Sequence, residues 1–451
     1  MLNLLETVAA NRKGNNVGTY AVCSAHPYVI DAAVQQSRAD GSLLHIESTA
    51  SQVNQFGGYS GSTPSQFAAQ IHEIARNAGL APGQVLLGGD HIGPFPWRNE
   101  SSGVALAKAS QLVRDCVLAG YSKIHLDTSM PCADDGRPAL DDRTVAERAA
   151  VLCQISEEAA KERQRSPLQG SSPHGAAPVY VIGTEVPVPG GESAHGEPPK
   201  VTSVENAHAT VQAFQNAFIA RGLSSAWERV IALVVQPGVE FHDHLVFDYD
   251  PRKAQALSSA LPPGNIVYEA HSTDYQRPAA LAELVRDHFA ILKVGPWLTY
   301  AFREAVFALG AIERELLAGK KSFHLSDVRG ELDRAMLQDP SQWRSYYSGD
   351  EQELALARAY SYSDRSRYYW HYANVQAELA KLVQNLIAVE LPPGLLSQYL
   401  PQEYEAVRGG ELKAGPKALI QFHIQKVLAP YAAACGVYVR KSTGPAKPKV
   451  D

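Results

Sequence analysis

No two of the five cysteines, Cys23, Cys116, Cys132, Cys153 and Cys435, stand in a C-x-x-C spacing. Odd in number and scattered, they suggest neither a disulfide framework nor a zinc knuckle, and they fit a reducing cytosol. An excess of positive charge is also missing. Lys and Arg number 41 against 47 Asp and Glu, a net charge of −6, so no global field favours nucleic acid. Long apolar runs are absent: the longest, around Val230–Val235, is far short of the ~20 residues that a membrane-spanning helix needs. The opening MLNLLETVAANRKG brings in charges too early for a signal-peptide apolar region. No G-x-G-x-x-G follows the first apolar strand, so the main mark of a doubly wound dinucleotide-binding sheet is lacking. These absences leave the expectation of a soluble, cytoplasmic protein. Its 451 residues suffice for one large domain and a smaller one.

What is present is an alternation. Short apolar runs at 20–24, 43–48, 85–89, 123–127, 179–185, 230–236, 265–271 and 290–295 are each followed by a segment of helical periodicity. Thr63-Pro64 marks one helix start, a capping residue followed by Pro at the first helical position. Gly120 and Gly222 mark two helix ends. Apolar strands alternating with helices predict a parallel sheet, and eight such units in about 300 residues match a closed (β/α)₈ TIM barrel. The barrel is expected over residues 1–325, with a Pro- and Gly-rich loop insertion at 166–178. Helix-like segments at 329–338, 351–360, 373–389 and 416–434 predict a small helical C-terminal subdomain over 326–435. Residues 436–451 read as a polar tail.

An α/β barrel places its chemistry at the C-terminal ends of its strands. In VLLGGDHIGPFPW (85–97) a short strand, Val85 to Leu87, opens onto two glycines and then Asp90-His91, a pair able to supply a proton-transfer group and a metal ligand. The other strands deliver Glu47, Asp127, Glu185, Gln236 with Glu240, His271 with Asp274, and Lys293 to the same rim. Charges gathered at one end are costly unless they pair, bind a metal or meet a polar ligand. His91, Glu185 and His271 form an N,N,O set for a divalent metal. Asp90, Asp127 and Glu240 are the acid/base candidates, and Glu47, Gln236, Asp274 and Lys293 the substrate-binding ones. Bland alternatives stand beside these. Asp127 caps a loop, Lys293 neutralises a carboxylate inside the barrel, His242 and His244 lie on a surface loop, and His26 fixes the turn at Pro27. In SYSDRSRYYW (361–370), Arg365 and Arg367 are weighed as phosphate-binding cations against pairing with Asp364 or Glu residues, with the pairing favoured.

The motifs VCSAHP, ESTASQVNQFGGYSG (47–61), GGDHIGP, GYSKIHLD, GTEVPVPGGE, IARGL, VVQPGVEF, YEAHSTDYQ, LVRDHFAILKVGP and SDRSRYYW resemble the Z-type (GatZ/KbaZ) subunit of class II D-tagatose-1,6-bisphosphate aldolase. The likeness runs from about residue 15 to 430. It implies a non-catalytic partner that supports the catalytic Y-type subunit. More distantly, the chain is similar to the class II aldolases themselves. That likeness assigns proton transfer to Asp90 and metal binding to His91, Glu185 (with Gly190-Gly191-Glu192 following) and His271. Two departures stand out. The loop after His271 reads HSTDYQ without the glycines of a phosphate nest. The second aldolase histidine has only Gln236 or Glu240 in its place. Relatives of this family are ketose 4-epimerases of the fructose/tagatose type, which adds a metal-dependent epimerase (Zn, Mn or Ni) to the expectations. The partners then implied are a ketohexose or its phosphate and a Y-type subunit, with a homo-oligomer compatible and neither nucleic acid nor membrane involved.

Overall fold

Eight short parallel strands close on themselves. The structure, a computed structural model, describes residues 3–136, 139–165, 177–186 and 198–437. In chain order the strands are β1 (Thr19–Val22), β2 (Leu44–Thr49), β3 (Val85–Ile92), β4 (Lys123–Leu126), β5 (Val179–Ile182), β6 (Val230–Val234), β7 (Glu240–Phe241), β8 (Val246–Phe247), β9 (Val267–Ala270) and β10 (Phe289–Val294). All but β7 and β8 form the closed barrel, in the order β1-β10-β9-β6-β5-β4-β3-β2, while β7 and β8 make a small antiparallel hairpin. A helix follows every barrel strand, so the chain is a (β/α)₈ TIM barrel. Most of these helices start with Pro in the first turn, and the one over Pro64–Asn77 carries a complete capping box between Thr63 and Gln66.

The two faces of each strand differ. Outward residues such as Leu44, Ile46, Ile124, Leu126, Tyr180, Ile182, Tyr268, Leu292 and Val294 join the main core under the helices. Inward residues alternate with them. At the N-terminal end they are aliphatic: Val179, Ile231, Val267 and Ile291 pack with Leu4 and Val8 of the helix Leu4–Arg12. Further along, β5 and β6 continue with Val181, Ala232 and Val234, whereas β2, β4, β9 and β10 turn Glu47, Lys123, Glu269 and Lys293 inward, all buried. The charged half of the barrel interior lies under the candidate site.

Beyond the barrel, helices span Val328–Gln338, Glu351–Tyr360, Ala373–Ile387, Pro393–Tyr399, Pro401–Arg408 and Pro416–Ala434. The last packs against the barrel helices Pro27–Asp40, Pro278–Arg286 and Pro296–Leu317, and Tyr431 donates its hydroxyl proton to the Thr273 carbonyl at 2.6 Å. Its buried residues belong to the same core as the barrel helices. The 166–178 insertion, apart from residues 177 and 178, and the tail beyond residue 437 lie outside the described residues. Among the described residues no helix is long and apolar enough to cross a membrane.

One strand departs from expectation. β3 does not open at Gly88-Gly89 but continues through Asp90 and His91 to Ile92. The glycines make room rather than a turn. Gly88 pairs with Glu47 across β2–β3, and a Cβ there would sit 2.7 Å from the Glu47 Cγ. Gly93 is tighter still, since a Cβ would fall inside the radius of the Asp127 carbonyl oxygen, a backbone atom that cannot swing away. Gly93→Ala is therefore expected to lower stability by about 3 kcal/mol, the upper range for overpacking, read as a fall in the urea midpoint. A midpoint equal to wild type would disprove this close approach.

Candidate functional site

At the base of the site two lysines and two glutamates interlock. Lys123 Nζ lies 2.7 Å from Glu47 Oε1 and 2.7 Å from Glu269 Oε2. Lys293 Nζ pairs with Glu47 Oε2 and lies 2.9 Å from Asp90 Oδ1 and 3.6 Å from Glu269 Oε1. His45 Nε2 stands 2.6 Å from Glu47 Oε1. Burial pushes the Glu47 and Glu269 carboxyls up, but the two lysines outweigh it and both stay below the usual carboxylate range. Burial likewise pulls the Lys293 ammonium down, yet Asp90, Glu47 and Glu269 hold it well above its ordinary value. Lys293 is thus a fixed cation. An amine so held is protonated at neutral pH and unsuited to forming an imine with a carbonyl.

Above this layer three imidazoles face one another, with ring centres 4.8–5.2 Å apart: His91, His125 and His271. Each is backed by a carboxylate. His91 Nδ1 lies 2.7 Å from Asp127 Oδ2, His125 Nδ1 lies 3.0 Å from Asp90 Oδ1, and His271 Nε2 lies 3.0 Å from Glu269 Oε1. A carboxylate on one ring nitrogen fixes the tautomer and leaves the other nitrogen to a metal. His125 Nδ1 also receives the His91 amide N–H at 3.2 Å, and among the described residues the buried His125 Nε2 has no hydrogen-bond partner, a polar atom left for a group that the chain does not supply. Asp90, His91, His125 and His271 each offer a ligand atom, and these atoms all lie within 4.8 Å of one another. Three nitrogens and a carboxylate oxygen suit Zn, Mn or Ni. Burial pulls the His91 imidazole down, but Asp90 and the bond to Asp127 outweigh it and raise its pKa. His271 is the opposite case, lowered by burial to about 4, and so is neutral at pH 7. The backbone is bent to present these groups: His91 sits at φ 47° and Ser272, after His271, at φ 53°, conformations usually over-determined at functional sites.

A cavity of about 760 Å³ opens over this cluster, and Asp90, His91, His271, Asp274 and Lys293 line it. Glu47 and Asp127 lie behind that wall. Asp127 both supports His91 and accepts from Ser129 N–H and Oγ at 3.1 and 2.6 Å, so it caps the loop as well.

Three expected residues stand apart from the cavity wall. Glu185 does not join His91 and His271: its carboxylate is exposed and accepts from Thr202 Oγ1 and Asn206 Nδ2 at 2.6 and 2.7 Å, and His125 takes the third place. Gln236 spends its carboxamide oxygen on the Gly238 and Val239 amides. Glu240 is buried at the start of the β7–β8 hairpin, accepting from the Phe241 amide. Gly190-Gly191-Glu192 lie outside the described residues.

The signal for His125 was available in KIHLD. Lys123 and His125 are two apart and therefore share the inward face of β4. His244 is exposed as expected, but His242 is buried against the Phe247 ring. His26 stands at the N-cap position of the helix Pro27–Asp40 without a side-chain cap bond and packs on Phe302, ring centres 4.1 Å apart, with both nitrogens buried and without a hydrogen-bond partner among the described residues.

The fold and site together define the class: a (β/α)₈ barrel that gathers three imidazoles and a carboxylate where its strands end. The family is then specific. The description "D-tagatose-1,6-bisphosphate aldolase subunit GatZ/KbaZ-like" matches residues 4–436, and the chain belongs to that family. It is 47% identical over 428 residues, 95% of this chain and 99% of the relative, to the D-tagatose-1,6-bisphosphate aldolase subunit GatZ of Escherichia coli O1:K1 / APEC. The GatZ subunit of Escherichia coli strain UTI89 / UPEC matches with the same figures. A crystal structure described as a probable tagatose 6 phosphate kinase from Sinorhizobium meliloti 1021 superposes with a TM-score of 0.83 at 40% identity, covering 93% of this chain and all of that one.

Asp274 generates a test. Its Oδ1 accepts from the Gly295 and Trp297 amides at 2.9 and 2.8 Å, yet burial raises its pKa from 3.8 to about 6. The folded state therefore holds this proton more tightly than the unfolded chain, and stability falls as pH rises from about 4 to about 6. Asp274→Asn keeps the accepting oxygen and removes the charge. It is expected to raise stability by up to about 3 kcal/mol at pH 8 and to give no gain at pH 4, by urea denaturation at both pH values. A gain independent of pH would contradict the raised pKa.

Proposed function

We propose that this chain is a divalent-metal-dependent 4-epimerase of a ketohexose or ketohexose 6-phosphate, interconverting the fructose and tagatose configurations. The observation that carries the reading is the set of three carboxylate-backed imidazoles converging with Asp90 at the mouth of the barrel. His91, His125 and His271 would hold the cation, whose chemistry as a Lewis acid is to polarise the ketose carbonyl. In this reading Asp90, ionised beside Lys293, accepts the C4 hydroxyl proton. Loss of that proton lets the C3–C4 bond break, its electron pair passing towards C3 and C2 while C4 becomes an aldehyde. Rotation of the aldehyde and re-formation of the bond invert C4. The inverted oxygen needs a proton from a group in another position. Asp274, with its pKa near 6, suits that exchange better than Asp127 or Glu240, which are engaged elsewhere. Lys293 and Glu47 act as the fixed charges that orient Asp90.

Incubation of the purified chain with Mn²⁺ and fructose 6-phosphate is expected to yield tagatose 6-phosphate, or tagatose from fructose. His125→Ala is expected to lower both bound metal after dialysis and turnover, the latter by at least about 10-fold. No product from either sugar with Zn²⁺, Mn²⁺ or Ni²⁺ present would refute the reading.

A second reading is favoured by the 47% identity to proteins named as aldolase subunits. In it the chain stabilises a catalytic Y-type tagatose-bisphosphate aldolase subunit. Co-expression is then expected to give a co-purifying complex and a Y-type subunit with higher activity and longer half-life. A Y-type subunit indifferent to its presence would exclude that role.

A further inference from the structure

A second group of donor atoms stands beside the imidazole cluster, and a side chain already occupies it. Cys23, Glu47 and Asp90 each offer a ligand atom, one sulfur and two carboxylate oxygens, all within 4.8 Å of one another. Their placing follows from the strand register. Ala21 pairs with Lys293 across β1–β10, so Cys23, two residues on, returns to the inward face just past the end of β1. Glu47 and Asp90 come from β2 and β3, the next two strands round the barrel. Asp90 belongs to both groups. Its Oδ2 stands 3.8 Å from His91 Nε2 and its Oδ1 2.9 Å from Lys293 Nζ. A carboxylate that turns one oxygen to each of two cation positions is the layout of a two-metal site. Here an ammonium holds the second position. Lys293 Nζ pairs with Glu47 Oε2 as well as with Asp90. Cys23, the remaining donor, feels the same ammonium: burial pushes its thiol well up, and Lys293 leads the charges that pull it back. Cys23 therefore stays a neutral thiol and leaves the ammonium to the two carboxylates.

We propose that the mouth of the barrel is a two-cation site in which the chain supplies the second cation itself. The Lys293 ammonium fills the Cys23–Glu47–Asp90 position and closes it to divalent metal, so that one ion binds per chain, at His91, His125 and His271. Two physical consequences follow. A side-chain ammonium cannot dissociate when free metal is scarce, so Asp90 keeps its orientation whether or not the first ion is bound. A divalent ion beside that ammonium would also meet like charge in a water-poor interior, where repulsion is strong. Lys293 is in this sense a positioning residue for Asp90 and a guard on Cys23, whose thiolate would be a soft metal ligand. Cys23, Asp90 and Lys293 all line the main cavity, so an ion from solution can reach the position once the lysine is gone. The ion in the first position is that of the proposed function; the claim about the second position needs neither that ion nor any choice of sugar.

The test is the metal content and absorption spectrum of the full chain, stripped with a chelator, reloaded with Co²⁺ and freed of excess ion by gel filtration. Wild type is expected to hold about one Co²⁺ per chain and to show no thiolate-to-cobalt band in the near ultraviolet. Lys293→Ala is expected to hold about two, to show that band and to release the Cys23 thiol proton on loading. Adding Cys23→Ser is expected to abolish the band. Where Lys293→Ala does not fold, Lys293→Ala/Glu269→Gln carries the same readout, because it removes one charge of each sign and keeps all three donors. A folded Lys293 variant without the band overturns the proposal. So does a band in wild type, since metal would then reach Cys23 with the lysine in place. A band in Lys293→Ala alongside no Co²⁺ in wild type upholds the second position and defeats the imidazole cluster, and with it the epimerase. One Co²⁺ in wild type and in Lys293→Ala alike, with no band in either, does the reverse.

Discussion

The interlocked charges of Lys123, Glu47, Lys293 and Glu269 are the constraint on which the site depends. Each sits on a different barrel strand, β4, β2, β10 and β9, and none is exposed to water to any useful extent. Taking a charge out of water still costs several kcal/mol after relaxation, so these groups hold together only as a set. Remove one and the remainder is an uncompensated buried charge. The set therefore fixes where the four strand ends stand relative to one another. Asp90 is drawn into it through Lys293, and His271 through Glu269. Asp90 and His271 are thus positioned from below by electrostatics rather than from the side by packing.

The backbone around this layer is shaped to admit it. Gly88 leaves space for the Glu47 side chain across β2–β3, and Gly93 lets the β3 end pass the Asp127 carbonyl. The second contact brings His91 Nδ1 within 2.7 Å of Asp127. Opposite the charged half, Val181, Ala232 and Val234 fill the barrel with aliphatic groups. The division is functional in consequence: a low-dielectric wall on one side strengthens every charge interaction on the other. From above, the Asp364 carboxylate accepts from Thr299 Oγ1 at 2.5 Å and stands 3.4 Å from Arg303 Nε, tying the turn Arg365–Tyr368 to the barrel helix Pro296–Leu317.

The barrel was legible because its signals are local. Apolar runs recur eight times and five of the helices that follow them are Pro-led, so each strand needs only its own residues to declare itself. His91, His271, Asp90 and Lys293 were legible for the same reason, as polar groups where an apolar run ends. What escaped was relational. Glu185 ends a strand as His271 does, but Thr202 and Asn206 pull its carboxylate out to solvent, and no pattern within GTEVPVPGGE announces partners 17 and 21 residues away. His125 was hidden by the opposite error. It lies within KIHLD rather than at its end, and only the two-residue period shared with Lys123 puts it inside the barrel. The Gly88-Gly89 pair was read as a break because glycine usually is one, whereas here the demand for space comes from Glu47, some forty residues earlier.

A stabilising role for a partner subunit and a catalytic role make different demands on this interior. Docking is a matter of surface, and nothing in it calls for lysines, glutamates and imidazoles inside a barrel. Stability does not call for them either, since replacing buried ion pairs with packed apolar groups is often neutral or stabilising by about 1–4 kcal/mol. Asp274 makes the point at a single residue, as a carboxyl that destabilises the fold above pH 6 while lining the cavity. Groups that cost stability where apolar ones would serve are a signature of chemistry. The three imidazoles sharpen it, because each is backed by a carboxylate and offers a ring nitrogen within 4.8 Å of those of the other two. A helper subunit that retained such an interior would retain the means to react, which is why the two readings are separable only by supplying metal and sugar to the chain alone.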